Sequence, residues 1–275
     1  MKYCDLHNHS VHSDGSFTPR ELVEYAKEKG LFAIGLTDHN TSDGMEEFIE
    51  SAKELSIDYV CGNELTTDYN NKEVHLLCLF ITPKNVQKVR VFTDEQLKNK
   101  KVSNVDLANN LRNGGYDITI EELYERFGKN LNRAHFARVL VDKGYAESTD
   151  VAFDTFLKSG NGFYNPPARL DLLDAIELVI SWGCLPVIAH PLLSLTREEL
   201  EEVLPRAKEK GLVGLEVYYP KFNDEMRNYL YSLCQKYDLV ASGGSDFHGS
   251  MKSYGDLNDA KAPYECYENL LKRLK

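Results

Sequence analysis

The 275-residue sequence predicts an α/β fold, namely a seven-stranded, TIM-like β/α barrel interrupted by a small helical insertion. Short apolar runs alternate with helical patterns over residues 3–80 and again after residue 165, which is typical of β/α proteins with parallel strands. The stretch between these parts has mainly helical patterns and few strand signals. Hydrophobic residues make up 42% of the chain, which is enough for the full core that such a fold requires.

Four strands and two helices are predicted in the first part of the chain. Their order is KYCDLH, TPRELVEYAKEKG, LFAIGLTDH, GMEEFIESAKEL, IDYVCGNE and EVHLLCLF. The first helix has the clearest boundaries, because Thr18 is a favourable N-cap, Pro19 fits the first helical position, Glu21 completes a capping box and Gly30 marks the end.

The alternation resumes after residue 165 and supplies three more strands. The predicted order is the helix LLDAIELVISWG, the strand LPVIAHP, the helix REELEEVLPRAKEKG, the strand GLEVYYP, a helix over 224–237, the strand LVASGGSDFHG and a closing helix. We therefore expect residues 1–81 and 166–275 to form the barrel, and residues 82–165 to form a helical insertion domain.

The charge balance excludes some classes of partner. The formal net charge is −11, which argues against binding along a long duplex nucleic acid, since that requires a continuous basic surface. Residues 82–145 differ from the rest, with 12 Lys and Arg against 8 Asp and Glu. The insertion is therefore the part that we expect to attract a small anion.

Cysteine usage and the absence of long apolar segments indicate the compartment. The six cysteines have no CxxC spacing and lie mostly in apolar runs, which is typical of reduced core thiols. The sequence shows no apolar run long enough for a membrane span and no apolar leader at its start. We expect a cytoplasmic protein without a membrane partner.

Histidine and acidic residues recur at the ends of the predicted strands or within them. Because the carboxyl ends of barrel strands open onto one rim, side chains that are distant in sequence should converge there. A mixture of imidazole and carboxylate suits Zn, Mn, Fe or Ni, and the alternation in His7-Asn8-His9 turns both rings to the same side. The sequence thus predicts a multinuclear metal site built from His7, His9, Asp14, His39, Glu64, His75, His190, Asp246 and His248.

Single residues of this set are weak signals. A lone histidine is more often a hydrogen-bonded structural residue than a ligand, and His12, which is off the alternation, is interpreted in that way. His75 within an apolar run and Asp14 in a turn would each favour a structural interpretation in isolation. The shared position of the whole set favours a metal site.

At this point the residues resemble the polymerase and histidinol phosphatase (PHP) family of metal-dependent phosphoesterases. The matching pieces span nearly the whole chain: DLHNHSVHSDG at 5–15, LTDHNT at 36–41, GNE at 62–64, His75, AHP at 189–191 and GGSDFHG at 243–249. The resemblance implies a distorted seven-stranded (β/α)7 barrel that holds two or three divalent cations, with Mn, Fe and Zn as candidates.

The resemblance also implies how the cations are shared. One would be held by His7, His9, Glu64 and Asp246. Glu64 would bridge to a second ion held by His75 and His190, and the third would be held by Asp14, His39 and His248. Asp5, Asp38 and Ser245 flank these residues and are candidates for orienting the imidazole rings.

The insertion also resembles part of the family, and this resemblance implies that residues 82–165 contribute to binding a substrate phosphate. NRAHFARVLVDKGY, residues 132–145, is similar to the segment with which subfamilies acting on small nucleotides hold a phosphate, and Arg133 and His135 fall on the matching positions. The planar fork of a guanidinium suits two-point phosphate binding. Asn161 stands where relatives often have Lys, and Leu192 and Leu193 stand where a basic or aromatic residue is frequent, which leaves the exact substrate open.

The implied activity is hydrolysis of a phosphate ester of a small nucleotide-like molecule, either a nucleoside 3′,5′-bisphosphate or the end of a short oligonucleotide. Cations lower the pKa of a bound water, supplying hydroxide near neutral pH, so no protein nucleophile is assigned. Three alternatives stay open: a phosphatase of the histidinol-phosphate type, a non-catalytic PHP module that binds metal or nucleic acid, and a metal-dependent amide hydrolase.

Overall fold

A computed structural model describes residues 1–128, 131–252 and 254–274. These residues group into two units, one made of Met1–Val91 with Arg169–Lys275 and the other of Phe92–Ala168. The role of the middle segment as a separate insertion domain stays a prediction.

Nine strands form one sheet in the described part of the first unit. They are β1 (Tyr3–Asp5), β2 (Ala33–Leu36), β3 (Asp58–Tyr69), β4 (Lys72–Leu79), β5 (Leu170–Asp171), β6 (Leu185–Ile188), β7 (Gly214–Tyr218), β8 (Val240–Gly243) and β9 (Ala262–Pro263). Seven of these coincide with the predicted strands. The other two, β5 and β9, have two residues each, too few to show a period in the sequence.

The sheet has the order β8-β7-β6-β4-β3-β2-β1-β9, and β5 pairs with β3. The predicted parallel alternation fails at β4, which runs antiparallel to both β3 and β6. The cause is the two-residue turn that joins β3 to β4. Asn70 and Asn71 have φ angles of 52° and 62°, as a type I′ hairpin turn requires, and asparagine tolerates this region better than most residues.

The sheet closes where the chain beyond β8 meets β1. Leu6 N donates to Gly243 O at 3.0 Å, and Asp246 N donates to His7 O at 2.9 Å. Gly244 permits this approach, because a Cβ at that position would lie 2.5 Å from His7 N. The α/β class and the barrel-like sheet predicted from the sequence are thereby confirmed.

Eleven α-helices occur among the described residues. They are α1 (Pro19–Glu28), α2 (Met45–Glu54), α3 (Val86–Asn113), α4 (Ile120–Phe127), α5 (Arg133–Asp142), α6 (Thr149–Ala152), α7 (Leu172–Ser181), α8 (Pro191–Ser194), α9 (Arg197–Glu209), α10 (Asp224–Lys236) and α11 (Glu265–Leu271). The predicted capping box of α1 is present, with Thr18 Oγ1 accepting from Glu21 N and Glu21 Oε2 accepting from Thr18 N. Within the described ranges, no helix has the length and apolar character needed to cross a membrane.

Each unit has its own apolar core. In the barrel unit, the core includes Leu6, Leu77 and Val187, all fully buried. In the helical unit, α3, α4 and α5 pack through buried residues such as Leu111 and Phe136. A short π-helix (Phe153–Leu157) follows α6, and a 3-10 turn (Gly249–Met251) follows β8.

Candidate metal centre

Nine titratable side chains of the first unit come together at one end of the sheet, the end at which β1, β2, β6 and β8 have their carboxyl ends. His7 and His9 follow β1, His39 follows β2, and Glu64 lies in β3. The remaining members come from the loop after β1, from β4 and from the segments after β6 and β8: Asp14, His75, His190, Asp246 and His248. The structure therefore brings together all nine residues that the sequence singled out.

His75 reaches this end of the sheet because β4 is reversed. It lies near the start of β4, and in the antiparallel register its partner is Thr66, two residues beyond Glu64 in β3. The start of β4 therefore lies beside the end of β3, and His75 Nδ1 comes within 2.7 Å of Glu64 Oε1.

The first group consists of His7, His9, Glu64 and Asp246, all of them buried. Glu64 Oε2 lies 3.2 Å from His7 Nε2 and 3.2 Å from His9 Nε2. Asp246 Oδ1 lies 3.2 Å from His9 Nε2 and 3.6 Å from His7 Nε2. Two imidazoles and two carboxylates thus face one another across one small space.

A second group lies on the other side of His9 and adds Asp14, His39 and His248. Asp14 Oδ1 lies 3.2 Å from His248 Nε2 and 3.6 Å from His9 Nδ1. Asp14 Oδ2 lies 3.8 Å from His39 Nε2.

The third group combines Glu64 with His39 and His75. His190 Nε2 also lies 3.1 Å from Glu64 Oε1, although His190 belongs to none of the three groups found among the described residues. The geometry therefore adds His39 to the group that the resemblance assigns to the second ion, namely Glu64, His75 and His190. His12 is in none of the groups.

Buried polar atoms without hydrogen-bond partners show that this arrangement fits divalent cations. Within the cluster, the following buried side-chain atoms have no hydrogen-bond partner: His7 Nε2, His9 Nε2, Asp14 Oδ1, His39 Nδ1, Glu64 Oε2, His190 Nδ1 and His248 Nε2. Each such atom costs about 1–3 kcal/mol if nothing replaces its water. Ligands at about 2.0–2.2 Å from a common ion lie roughly 3–3.6 Å apart. The nitrogen–oxygen distances of 3.2–3.6 Å in the first group match this spacing.

Two histidines have their tautomer set by a second contact. His7 Nδ1 donates to Glu216 Oε1 at 3.1 Å, and His248 Nδ1 donates to the carbonyl oxygen of Asp246 at 2.8 Å. In both rings the proton is thereby placed on Nδ1, because carboxylate and carbonyl oxygens only accept. When either ring is neutral, its Nε2 lone pair is left to face the cluster, as a metal ligand requires.

The charges of the cluster favour ionised carboxylates. Burial raises the pKa of Glu64, but the neighbouring His75, His7 and His39 outweigh it and hold that pKa well below its usual value. The pKa values of Asp14 and Asp246 are also well below normal, because burial is outweighed in the same way by His248 for Asp14 and by Lys252 for Asp246.

The imidazoles divide into two classes. Burial lowers the pKa of His39 well below its usual value, and it also lowers the pKa of His248. Burial acts in the same direction on His7, His9 and His75, but there the adjacent carboxylates outweigh it. The pKa of His9 is raised to about 9 and that of His75 to about 10.

Glu216 is a site residue that sequence reasoning missed. This fully buried acid in β7 accepts from His7 Nδ1 through Oε1 and from His190 N through Oε2, at 3.1 and 2.7 Å. It thereby holds the backbone of His190, whose φ of 26° is an uncommon conformation for a non-glycine residue. The available signal was an acidic residue at an inward position of the apolar strand GLEVY.

Asp246 is held by two further residues that the sequence did not indicate. Its Oδ2 accepts from Tyr219 Oη at 3.0 Å and from Lys252 Nζ at 2.7 Å. Oδ1 is the oxygen that faces the histidines. Tyr219 is fully buried, so this contact fixes which oxygen of Asp246 points into the cluster.

His75 has a supporting pair of its own. Its Nε2 lies 3.1 Å from Glu73 Oε1, and the other oxygen of Glu73 accepts from Arg169. The guanidinium, the carboxylate and the imidazole thus form a chain that ends at Glu64.

Asp5, Asp38 and Ser245 support the cluster through the backbone and loops. Asp5 accepts from the backbone N–H groups of Ser245 and Asn258, and burial raises its pKa to about 6. Asp38 accepts from Ser10 and Ser13 in the loop that carries Asp14, and Ser13 Oγ also lies 3.5 Å from His9 Nδ1.

Arg133 and His135 belong to the second unit and make local contacts there. The guanidinium of Arg133 lies 4.7 Å from the ring centre of Tyr164, and its Nη1 donates to Leu157 O at 3.3 Å. His135 is buried and takes part in the N-terminal cap of α5, where its Nδ1 accepts from Asn132 N at 2.9 Å. Phosphate binding by either residue stays a prediction.

The three departures from the family pattern lie in different surroundings. Asn161 is exposed and donates to Asp154 O in the second unit. Leu192 and Leu193 lie in α8, directly after His190, and Leu193 is about half exposed.

Comparison with known proteins places the chain in one family. The PHP domain model matches residues 5–153. Over 248 residues the chain is 29% identical to a 5′-3′ exoribonuclease of Haemophilus influenzae, covering 90% of each sequence. It is 28% identical over 256 residues to a 3′,5′-nucleoside bisphosphate phosphatase of Chromobacterium violaceum, covering 90% of this chain and 88% of that protein.

A solved structure supports the same relationship. The fold matches a candidate metal-dependent phosphoesterase from Bifidobacterium adolescentis with a TM-score of 0.88. The match covers 99% of this chain and 96% of the other at 26% sequence identity.

Proposed function

The chain belongs to the PHP domain family of metal-dependent phosphoesterases, and we propose that it hydrolyses a phosphate ester of a small nucleotide-like molecule. Candidate substrates are a nucleoside 3′,5′-bisphosphate, releasing the 3′-phosphate, and the end of a short oligonucleotide. Relatives that bear the names of a bisphosphate phosphatase and an exoribonuclease support this proposal. The net charge of −11 favours a small substrate over a long duplex.

The observation that carries the proposal is the set of buried ligand atoms that face one another without hydrogen bonds. We propose that the nine cluster residues would hold two or three divalent cations, with Glu64 belonging to two of the three ligand groups. The mixture of imidazole nitrogens and carboxylate oxygens suits Mn, Fe or Zn. When bound, such ions lower the pKa of coordinated water and neutralise charge on phosphoryl oxygens.

The remaining chemistry belongs to side chains of this protein. Glu216 holds the His7 ring with its Nε2 lone pair inward, and Tyr219 and Lys252 hold Asp246 with one oxygen inward. Preorganised ligands of this kind need no rearrangement when substrate binds. In the second unit, Arg133 and His135 are proposed to contact a substrate phosphate, for which the guanidinium fork is suited.

Phosphate release by the purified protein tests this function. We would load the protein with Mn, Fe or Zn, and assay a nucleoside 3′,5′-bisphosphate, a short RNA, histidinol phosphate and a cyclic amide. We expect phosphate release from the bisphosphate, release of mononucleotides from the short RNA, and complete loss of both activities with a chelator. A preference for histidinol phosphate, combined with unchanged activity in Arg133→Ala, would contradict the nucleotide assignment.

Two other outcomes would support the competing functions. Full metal loading without hydrolysis of any substrate would indicate a non-catalytic module, and turnover of the amide alone would indicate an amide hydrolase.

The cytoplasm is the compartment we propose, because all six cysteines are buried free thiols.

A further inference from the structure

Two lysines and a tyrosine form a small cationic patch on the loops that follow β7 and β8. Lys221 Nζ lies 3.6 Å from the ring centre of Tyr254, and Lys252 Nζ lies 5.8 Å from the same ring centre. Lys221 is exposed, whereas Lys252 and Tyr254 are half-buried. Both loops leave the carboxyl ends of strands, which is the end of the sheet where the cluster lies.

The two ammonium groups differ in what they contact. Lys252 Nζ is paired with Asp246 Oδ2 at 2.7 Å, so its charge is committed to a cluster residue. Lys221 is positioned by an aromatic face, and no carboxylate of the described residues forms an ion pair with it. A ring attracts the cation but leaves its formal charge and N–H donors available. Lys221 is therefore positioned by the Tyr254 ring, and no carboxylate of the described residues neutralises its charge.

Other lysines of the barrel unit show the contrast. Lys72 pairs with Glu199 at 2.6 Å, and Lys210 pairs with Glu177 at 2.7 Å. A carboxylate partner of this kind would compete with an incoming phosphate. In a chain of net charge −11, a cation without such a partner at the cluster end of the sheet is well suited to attract an anion.

The patch is close enough to the cluster to contact the same substrate. The distances from Lys221 Nζ to the Tyr254 ring centre, from there to Lys252 Nζ, and on to Asp246 Oδ2 are 3.6, 5.8 and 2.7 Å. Lys221 Nζ therefore lies no more than about 12 Å from Asp246 Oδ2. A nucleotide that carries two phosphate groups can span such a distance. Because Lys221 covers one face of Tyr254, the ring is better suited to positioning the lysine than to stacking a base on that face.

We propose that Lys221, positioned by Tyr254, binds the second anionic group of the substrate, the phosphate that is not hydrolysed. This inference rests on the proposed function and names a cation of the barrel unit itself as a specificity determinant. A lysine ammonium binds phosphate as a point charge, so arginine at the same position should retain much of the effect.

The test compares two substrates that differ by one phosphate. For Lys221→Ala, the KM for a nucleoside 3′,5′-bisphosphate should rise about tenfold relative to the KM for the nucleoside 3′-monophosphate, as expected for one charge-assisted contact. Lys221→Arg should restore most of the preference. The inhibition constant of the nucleoside 5′-monophosphate, which keeps only the second phosphate, should rise by the same factor in Lys221→Ala.

A matched control exists in the same unit. Lys236 also lies over a tyrosine ring, 4.9 Å from the centre of Tyr237. It differs from Lys221 in its carboxylate partner, Glu201 Oε2 at 3.8 Å, and in its position at the end of α10, on the side of the sheet where β8 begins. Lys236→Ala should leave both KM values unchanged. Tyr254→Leu should reproduce part of the Lys221→Ala effect, whereas Tyr254→Phe should not, because it keeps the ring.

Three results would overturn the inference. The first is an equal change in KM for both substrates in Lys221→Ala, and the second is no change in either KM in that variant. The third is a loss of the preference for the bisphosphate that occurs in Arg133→Ala but not in Lys221→Ala. If the unmodified protein releases phosphate from neither substrate, the proposed function fails at that step and the role of Lys221 fails with it. If the unmodified protein hydrolyses the bisphosphate and Lys221→Ala has the same KM values, the proposed function stands and only the role of Lys221 is refuted.

Discussion

Glu216 Oε1 accepts a hydrogen bond from His7 Nδ1 at 3.1 Å, while its other oxygen accepts from the backbone of His190. One buried carboxylate in β7 therefore supports cluster residues that follow two different strands, β1 and β6. Partners of this kind fix the orientation of metal-ligating imidazoles, and their loss typically weakens metal binding by about 10–100-fold.

Glu216→Gln should weaken metal binding, although it preserves the shape of the side chain. The amide has one oxygen, so it can accept from His7 or from His190 N but not from both. We expect roughly 10-fold weaker metal affinity and about 1–3 kcal/mol lower stability. Metal content by mass spectrometry at limiting Mn, together with calorimetry, measures both effects. Glu201→Gln, at an exposed residue of α9, is the control, and equal metal content in the two variants would refute the prediction.

The relation of Glu216 to the sequence shows what could and could not be predicted. The nine cluster residues were recognisable because histidine and acid recur at one position of a repeating unit. Glu216 occupies an ordinary inward position of β7 and matches no recurring pattern. Its role depends on the distance to His7, which only the closed sheet establishes.

The direction of β4 is a similar case. The apolar run EVHLLCLF predicts a strand but does not define its direction. The information lay in Asn70 and Asn71, whose positive φ angles make the hairpin. Likewise, Lys252 follows the GGSDFHG segment in a loop without periodicity, so its pairing with Asp246 emerges only from the fold.

The chain from Arg169 through Glu73 to His75 gives a second prediction. Arg169→Met removes the cation that pairs with Glu73, leaving a half-buried carboxylate and a less constrained His75 ring. We expect about 10-fold weaker binding of one metal ion, with the others retained. Metal stoichiometry during titration with Mn measures this effect. Arg197→Met, which breaks an exposed pair with Glu225, should leave the stoichiometry unchanged, and the same result for Arg169→Met would exclude a positioning role.

The buried thiols give a third prediction. Burial raises the pKa of both Cys61 and Cys234 to about 12, so at pH 8 their thiolate fraction is on the order of one in ten thousand. In the unfolded chain the pKa returns to about 8.5 and the thiols become reactive. The pKa of Cys184 is lowered by a hydrogen bond with Cys78, so Cys184 should be the first to react.

Iodoacetamide labelling at pH 8, mapped by mass spectrometry, checks this order. Native protein should label slowly, beginning with Cys184, and protein in urea should label at all six positions. Native labelling of Cys61 as rapid as that in urea would show that its surroundings do not suppress the thiolate.

Metal removal should destabilise the barrel unit, because the buried ligand atoms of the cluster then have neither a cation nor a hydrogen-bond partner. Binding of Mn at a hundredfold excess over its Kd adds about 2.7 kcal/mol per site, which for a chain of this size corresponds to a shift in Tm on the order of 5–10 °C. Calorimetry of chelator-treated protein with and without added Mn measures it. Glu64→Gln should lose most of the shift, because Glu64 belongs to two of the three ligand groups, whereas Glu201→Gln should keep it. An identical Tm with and without Mn would mean that the cluster is stabilised by its own hydrogen bonds and protonation, and it would leave the proposed metal centre without physical support.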